Sequence, residues 1–596
     1  MFADQLVVLL VILFIILSLY FNWVGPGFTF TIGVVVLGIF DVLTPSEILR
    51  GFSNEQIAVI VLLLIIGDTI RRSAMLDVVF GKYFKDRLSH KGYLFRMTTL
   101  VATFSAFLNN TPLVAILMPH VHAWGKKNKI NPSKLLIPLS FAAILGGCLT
   151  LIGTSTNLVV NGLVEEQNIF KDFKSLNIFD FTPVGLPMAV IGIVYLVFFS
   201  KKLLPEREDV LEDFTKKQRE YMVEVRVKTA SKLHGRSIEE AGLRSLPGLF
   251  LVEIVRNQIA LAAVSPQTKI FEEDILYFAG ETETIAELIN EKNGLQLAQL
   301  GMFSKKKHTE LLEVVVSYNS TLIGKLVKDS NFRARFDAAI IAIHRNGEKI
   351  TGKIGDVKLM AGDVLLLIAG DDFKNHYKET NEFYLISKVR DFRKPNIFNN
   401  YFLIGGTILA ILLSAFKLIS LFLALIILLS LIMIFKISSP KSVAKSIDFN
   451  LIIVIALALS LGTAMIKTGV AGQMAHFTFE VLKPFGIIGI MAGIYAITTL
   501  LGALITNKAA VALILPVALT LALEMQIDPR PFTLLVAFAG AASFLTPIGY
   551  QTNLMVYGPG AYNFRDFLRI GAPLTLLYLI GTVLILVWQF GLVRSW

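Results

Sequence analysis

The feature that most constrains this chain is a stretch it contains twice. Asn109-Asn110-Thr111-Pro112 opens an apolar run reaching Pro119, and Thr506-Asn507-Lys508-Ala509 opens one reaching Pro516. In both, a proline stands nine residues past the central asparagine. Each copy is followed by a second matched pair, Gly153-Thr154-Ser155-Thr156-Asn157 against Gly549-Tyr550-Gln551-Thr552-Asn553. Asn110 and Asn157 are 47 residues apart, Asn507 and Asn553 46. Two motifs repeated in order at nearly equal spacing imply an internal duplication, with a site where the four meet.

Composition puts that site in a bilayer. Of 596 residues, 54% are hydrophobic and 17% charged, more apolar surface than a soluble chain can hide. Basic loops on the cytoplasmic face account for the net charge of +11, so no nucleic-acid partner is implied. The single cysteine, Cys148, lies in an apolar run and cannot form an intramolecular disulfide. Residues 1–20 lack a basic leader and a small-residue cleavage site, so they read as a first span. No catalytic dyad, metal cluster or phosphate loop is visible, so no enzyme and no cofactor is expected.

Charge sets the topology. Apolar runs at 5–21, 28–43 and 56–70 can cross a membrane; Asp68, beside Arg71 and Arg72, reads as an exposed end-of-span residue. The stretch 97–124 holds the first motif and has a basic segment on each side, 71–96 before it and Lys126, Lys127, Lys129 and Lys134 after it. Both flanks should be cytoplasmic, so residues 93–124 enter and return on one side as a re-entrant hairpin. A second hairpin, 485–525, has the mixed flanks Lys483, Glu524, Asp528 and Arg530 expected of the outer face. One hairpin from each side is an inverted repeat. With spans near 182–200, 398–416, 418–436, 449–467, 531–556 and 567–590, the count is ten spans plus two hairpins, both termini outside.

The expected fold class is therefore a polytopic α-helical membrane protein with two re-entrant hairpins and a soluble insert. Residues 1–200 form the first membrane half and 396–596 the second. Between them, 201–305 and 306–395 are charged, with short strands, and repeat each other at an offset of 89 residues. Ser231, Leu233, Gly235, Arg244, Arg256 and Asn257 match Ser320, Leu322, Gly324, Arg333, Arg345 and Asn346. These read as two small α+β modules in tandem, placed in the cytoplasm by Lys201, Lys202, Arg390, Arg393 and Lys394.

A hairpin tip at membrane depth must line a cavity or be covered by protein. Asn or Thr there can cap the following helix, leaving backbone amides and the positive end of a helix dipole facing an anion. Their side-chain oxygens, with unwound carbonyls, also suit a hard cation such as sodium. The substrate candidates are Asn110, Thr111, Asn507, Lys508, Thr156, Asn157, Thr552 and Asn553. Lys508 faces Thr111 in the alignment of the copies; a lysine at that depth reads as counter-charge, sodium substitute or proton carrier, with a structural ion pair as the alternative.

At these residues the chain resembles the divalent anion:sodium symporters, the sodium/sulfate and sodium/dicarboxylate cotransporters, whose tips carry Ser-Asn-Thr. Here the tips read Asn109-Asn110-Thr111 and Thr506-Asn507-Lys508. The resemblance extends through both membrane halves, including Phe181-Thr182-Pro183-Val184-Gly185-Leu186-Pro187. The insert resembles a pair of TrkA C-terminal (RCK-C) regulatory domains, with Phe332-Arg333-Ala334-Arg335-Phe336 in the second.

The resemblance implies sodium-coupled symport of sulfate or a di- or tricarboxylate by an elevator motion, in a homodimer in the inner (plasma) membrane. Its sodium sites would fall at Ser105, Asn109, Asn110 and Gly153, and at Ala503, Thr506, Asn507 and Gly549. The RCK-C pair would bind a small regulator. The alternative class is an RCK-regulated cation transporter, for potassium uptake or sodium/proton exchange. It calls for a carbonyl filter or buried carboxylates within the spans.

Overall fold

The computed structural model describes residues 2–21, 23–72, 89–167, 173, 175–207, 222–229, 231–243, 249–256, 259–262, 267–280, 295–297, 310–345, 348–350, 354–369, 373, 376, 382–385, 397–445, 447 and 449–592. By length and composition, six helices among these can cross a membrane: Phe2–Tyr20, Thr182–Leu203, Phe449–Lys467, Val470–Leu504, Asn507–Glu524 and Phe564–Gln589. Much of the basic segment 71–96, and Arg244, Asn257, Asn346, Arg390, Arg393 and Lys394, lie outside the described residues.

Two runs of helices take matching paths. In the first, His90–Ser105 and Asn110–Lys127 form a hairpin, followed by Leu136–Gly147, a break, and Ser155–Gln167. In the second, Gly486–Leu504 and Asn507–Glu524 form the hairpin, followed by Pro529–Ala541, a break, and Gln551–Tyr557. The runs interlock. Asn110–Lys127 packs on Gln551–Tyr557, and Asn507–Glu524 on Ser155–Gln167, so each tip meets the short helix of the other half. Thr182–Leu203 and Phe564–Gln589 pack together behind them. Further helices pack against this unit: Pro26–Ile39 lies on Phe449–Lys467, which also touches Asn507–Glu524, and Glu55–Arg72 lies on both Leu421–Ile434 and Ser155–Gln167.

Local chemistry explains why the chain turns and breaks where it does. Asn109 Oδ1 accepts from the Thr111 amide at 3.2 Å, and Thr506 Oγ1 from the Ala509 amide at 3.3 Å, so each tip caps its own second arm. The breaks are closed by the two repeated asparagines. Asn157 Nδ2 donates to the carbonyls of Gly147 and Thr150, ten and seven residues back. Asn553 Nδ2 donates to those of Ser543 and Thr546, again ten and seven back. A helix that stops inside a bilayer exposes carbonyls that water cannot reach, and one amide per break satisfies two of them.

The insert folds as two antiparallel sheets with the same topology, five strands each among the described residues. The first contains β1 (Met222–Val227), β2 (Leu249–Arg256), β3 (Ile259–Ala262), β4 (Ile275–Gly280) and β5 (Leu295–Leu297), ordered β3-β2-β4-β1-β5. The second contains β6 (Glu310–Val316), β7 (Ala338–Arg345), β8 (Glu348–Lys349), β9 (Val364–Ala369) and β10 (Phe383–Leu385), ordered β10-β6-β9-β7-β8. Matched at the sequence offset, the two orders coincide. The repeated residues explain the agreement. Arg256 grips Asp274 through Nε and Nη2 at 2.8 Å each, and Arg345 grips Asp363 at 2.7 and 2.8 Å. Both aspartates are buried, where an unpaired carboxylate would be costly. Gly235 and Gly324 hold φ of +78° and +79°, a turn that suits glycine in both modules.

Candidate functional site

A cavity of about 220 Å³ opens where the two tips and two breaks converge. It is lined by Asn109, Thr111 and Pro112 of the first tip and by Thr506, Asn507 and Lys508 of the second. Thr154, Ser155 and Thr156 come from the first break, and Ile548, Gly549, Tyr550 and Gln551 from the second. Asp68, Asn450 and Pro26 close the side formed by the flanking helices.

The helices that reach the cavity do so mainly by their N-terminal ends. Asn110–Lys127, Ser155–Gln167 and Asn507–Glu524 all begin at its wall, as do Pro26–Ile39 and Phe449–Lys467 on the other side. Asn450 Oδ1 accepts from the Gly27 amide at 2.9 Å and ties those last two starts together. Each start brings the positive end of a helix dipole, and Lys508 adds a full positive charge. A small anion is the ligand such a wall suits, with the hydroxyls of Ser155 and Thr156 as further donors.

The predicted substrate residues divide into two layers. Thr111, Thr156, Asn507 and Lys508 line the cavity. Asn110, Asn157, Thr552 and Asn553 are buried one layer behind it. For this second group the expectation of facing the ligand needs correction. The amide nitrogens of Asn157 and Asn553 are used to close the breaks. Ser140 Oγ lies 2.9 Å from Thr552 Oγ1 and 2.7 Å from Asn553 Oδ1, a link between the halves.

Asn110 is the centre of a denser network. Its amide nitrogen donates to Ser105 Oγ and to the carbonyls of Ala143 and Gly153, all within 3.2 Å, while its oxygen accepts from the Tyr550 hydroxyl at 2.6 Å. Thr154 Oγ1 lies 3.0 Å from that hydroxyl, and Thr111 Oγ1 donates to Gln551 Oε1 at 3.0 Å. Tyr550 and Gln551 thus lock the second break onto the first tip, and sequence reasoning missed both. The available signal was their position inside the repeated motif, where Thr154 and Ser155 stand in the first copy.

The sodium candidates are also brought together unevenly. Ser105, Asn110 and Gly153 converge, joined by the Ala143 carbonyl, whereas Asn109 is used as the tip cap. In the second half Gly502 stands five residues before Asn507, where Ser105 precedes Asn110, so that side chain's hydroxyl is missing. Gly549 is packed among Ser543 Oγ, Thr546 Oγ1 and the Gly502 carbonyl, and the Ala503 carbonyl accepts from Thr546 Oγ1 at 3.4 Å. Thr506 caps the second arm.

Asp68 requires the plainest correction. It is half-buried and lines the same cavity as Lys508, rather than being an exposed end-of-span residue. Its helix, Glu55–Arg72, continues past it, so the apolar run underestimated the span.

Comparison with known proteins agrees with this architecture. The model of a citrate transporter family matches residues 8–513 and 488–596. A Chlamydomonas reinhardtii protein named for the sulfur deprivation response is 34% identical, over 92% of this chain and 95% of its own. An uncharacterized transporter of Synechocystis sp. is 31% identical, over 98% and 97%. Sodium/sulfate cotransporter 1 of Chlamydomonas reinhardtii is 24% identical, over 95% and 88%. With several helices long and apolar enough to cross a bilayer and a family match over both halves, this is a multi-pass membrane transporter, and the chain belongs to the citrate transporter family.

Proposed function

We propose that the protein is a sodium-coupled symporter of a small divalent anion, sulfate or a di- or tricarboxylate. The observation that carries the anion reading is the convergence of helix N-termini and Lys508 on one polar cavity. The relatives named for sodium/sulfate cotransport support sulfate as the first anion to test, and the family supports citrate.

Sodium fits the cluster around Asn110. Ser105 Oγ and the carbonyls of Ala143 and Gly153 face one end of that amide. Turned over, the amide would add its own oxygen, giving four oxygens around one point, the donor set a hard cation takes. The same flip would reverse the bond to Tyr550, whose hydroxyl would then accept from the amide nitrogen at 2.6 Å, so ion binding would be felt at the cavity wall. In the second half Lys508 stands in for part of what Gly502 lacks.

The matching helix runs support an inverted repeat, and an elevator motion is what the family resemblance implies. The twin modules support the RCK-C resemblance through their shared topology and Arg–Asp pairs. The basic-loop argument supports a cytoplasmic insert, and the family resemblance implies the inner (plasma) membrane, a homodimer and a small regulator.

Thermal unfolding of the purified full chain tests the coupling. A ligand at about one hundred times its Kd adds about 2.7 kcal/mol, which raises Tm by several degrees. Sulfate or citrate should produce that rise in sodium and not in potassium; an equal rise in both, or none in either, removes sodium coupling from the account.

A further inference from the structure

We infer that the second insert module is itself part of the substrate site: its β6 turn forms one wall of the cavity, which opens toward the insert only when the module lifts. This rests on the cavity being the substrate site. The observation is that Tyr318 and Asn319, far from the membrane helices in sequence, line the same cavity as Thr111, Asn507 and Lys508.

The turn is held in place from its own side. The Ser317 amide donates to the Glu382 carbonyl at 2.8 Å, and Ser317 Oγ donates to the Tyr384 hydroxyl at 3.0 Å. Just beyond, Ser320 Oγ and the Thr321 amide both donate to Glu382 Oε2 at 2.7 Å, and Arg335 Nη2 to Oε1 at 2.8 Å. Although burial works to raise the Glu382 carboxyl's pKa, hydrogen bonds from Ser320, Thr321 and Arg335 hold it below the ordinary carboxylate value. The turn therefore moves with its module as a rigid piece.

The module is also seated on the helix that builds the site. A methyl group on Gly558 would fall 2.5 Å from the Gly362 carbonyl oxygen and 2.5 Å from Val364 Cγ2, so two backbones meet there with no room for a side chain. Gly362 presses on Leu554. Val315 and Val364 are fully buried and belong to the membrane core rather than to the module's own. Gln551–Tyr557, the seat, is the helix whose start bonds Thr111 through Gln551 and Asn110 through Tyr550. One helix thus touches ligand cavity and module at its two ends. Asn319 and Tyr318 bring an amide and a phenol to the cavity wall.

Access to the cavity tests this directly. Cys148 is buried, so in a Cys148→Ser background Ser155→Cys places one thiol on the cavity wall. The reading is its labelling rate by a membrane-impermeant maleimide, applied from the insert's side of oriented vesicles holding the full chain. Gly558→Ala puts a methyl group into the contact while keeping an ordinary helical φ of −65°. It should unseat the module and speed labelling about tenfold, the scale of an overpacked contact. Asn319→Ala leaves the seat intact and should speed labelling by a smaller factor while weakening sulfate protection of the thiol. Unchanged labelling in both variants overturns the proposal, even if sulfate transport is found. Faster labelling in a protein that proves not to move anions upholds the wall and rejects only the choice of anion.

Discussion

In proteoliposomes, Lys508→Gln raises the sulfate concentration for half-maximal uptake by about 10- to 100-fold. A hydrogen bond to a charged group contributes about 1.5–3 kcal/mol, and each 1.4 kcal/mol is a factor of ten. Lys508 sits at the start of a helix whose dipole points the same way, so the substitution removes the full charge and leaves the partial one. Asp68 makes the loss larger. It lines the same cavity, and without Lys508 its carboxylate faces an incoming anion with less positive charge to offset it. Adding Asp68→Asn to Lys508→Gln should therefore recover part of the affinity. If Lys508→Gln leaves the concentration dependence unchanged, the lysine does not meet the anion and the cavity has another use.

Asn110→Ala has the second large effect, through a different route. The side chain is 1% exposed and does not line the cavity. Truncation leaves Ser105 Oγ, the Gly153 carbonyl and the Tyr550 hydroxyl without their shared partner. Ser105 Oγ keeps the Ala143 carbonyl and the Tyr550 hydroxyl keeps Thr154. The cost therefore falls on the Gly153 carbonyl, about 1–3 kcal/mol, and on the sodium cluster, which loses its central amide; sodium-driven uptake should fall by about 100-fold. The loss should come with weaker sodium dependence rather than a simple loss of sulfate affinity, which separates this variant from Lys508→Gln. Tyr550→Phe removes one member of the same network and should cost less, about tenfold. A variant Asn110→Ala that transports at the normal rate with normal sodium dependence would show that the network is packing only.

How much of this was legible in the sequence depended on whether the cause was local. The hairpin tips were, because Asn109 and Thr506 act on amides two and three residues away. So were the twin modules, because the Arg256–Asp274 and Arg345–Asp363 pairs and the glycine turns lie at fixed offsets within short stretches. The backbone role of Asn157 and Asn553 was not legible because a broken helix needs its own carbonyls satisfied, and that demand is invisible in a motif. Asp68 was misread because Arg71 and Arg72 made it look like the end of a span. Tyr550 to Asn110 and Tyr318 to the cavity join residues far apart in the chain, and no periodicity records such meetings.

The central question is whether the cavity between the tips moves an anion with sodium. The most direct measurement is uptake of labelled sulfate, with citrate in parallel, into proteoliposomes carrying the purified full chain under an inward sodium gradient or an equal potassium gradient. Accumulation of one anion above its equilibrium level with sodium alone is the predicted result. Uptake that ignores sodium, or transport of potassium or protons with neither anion moving, would contradict it.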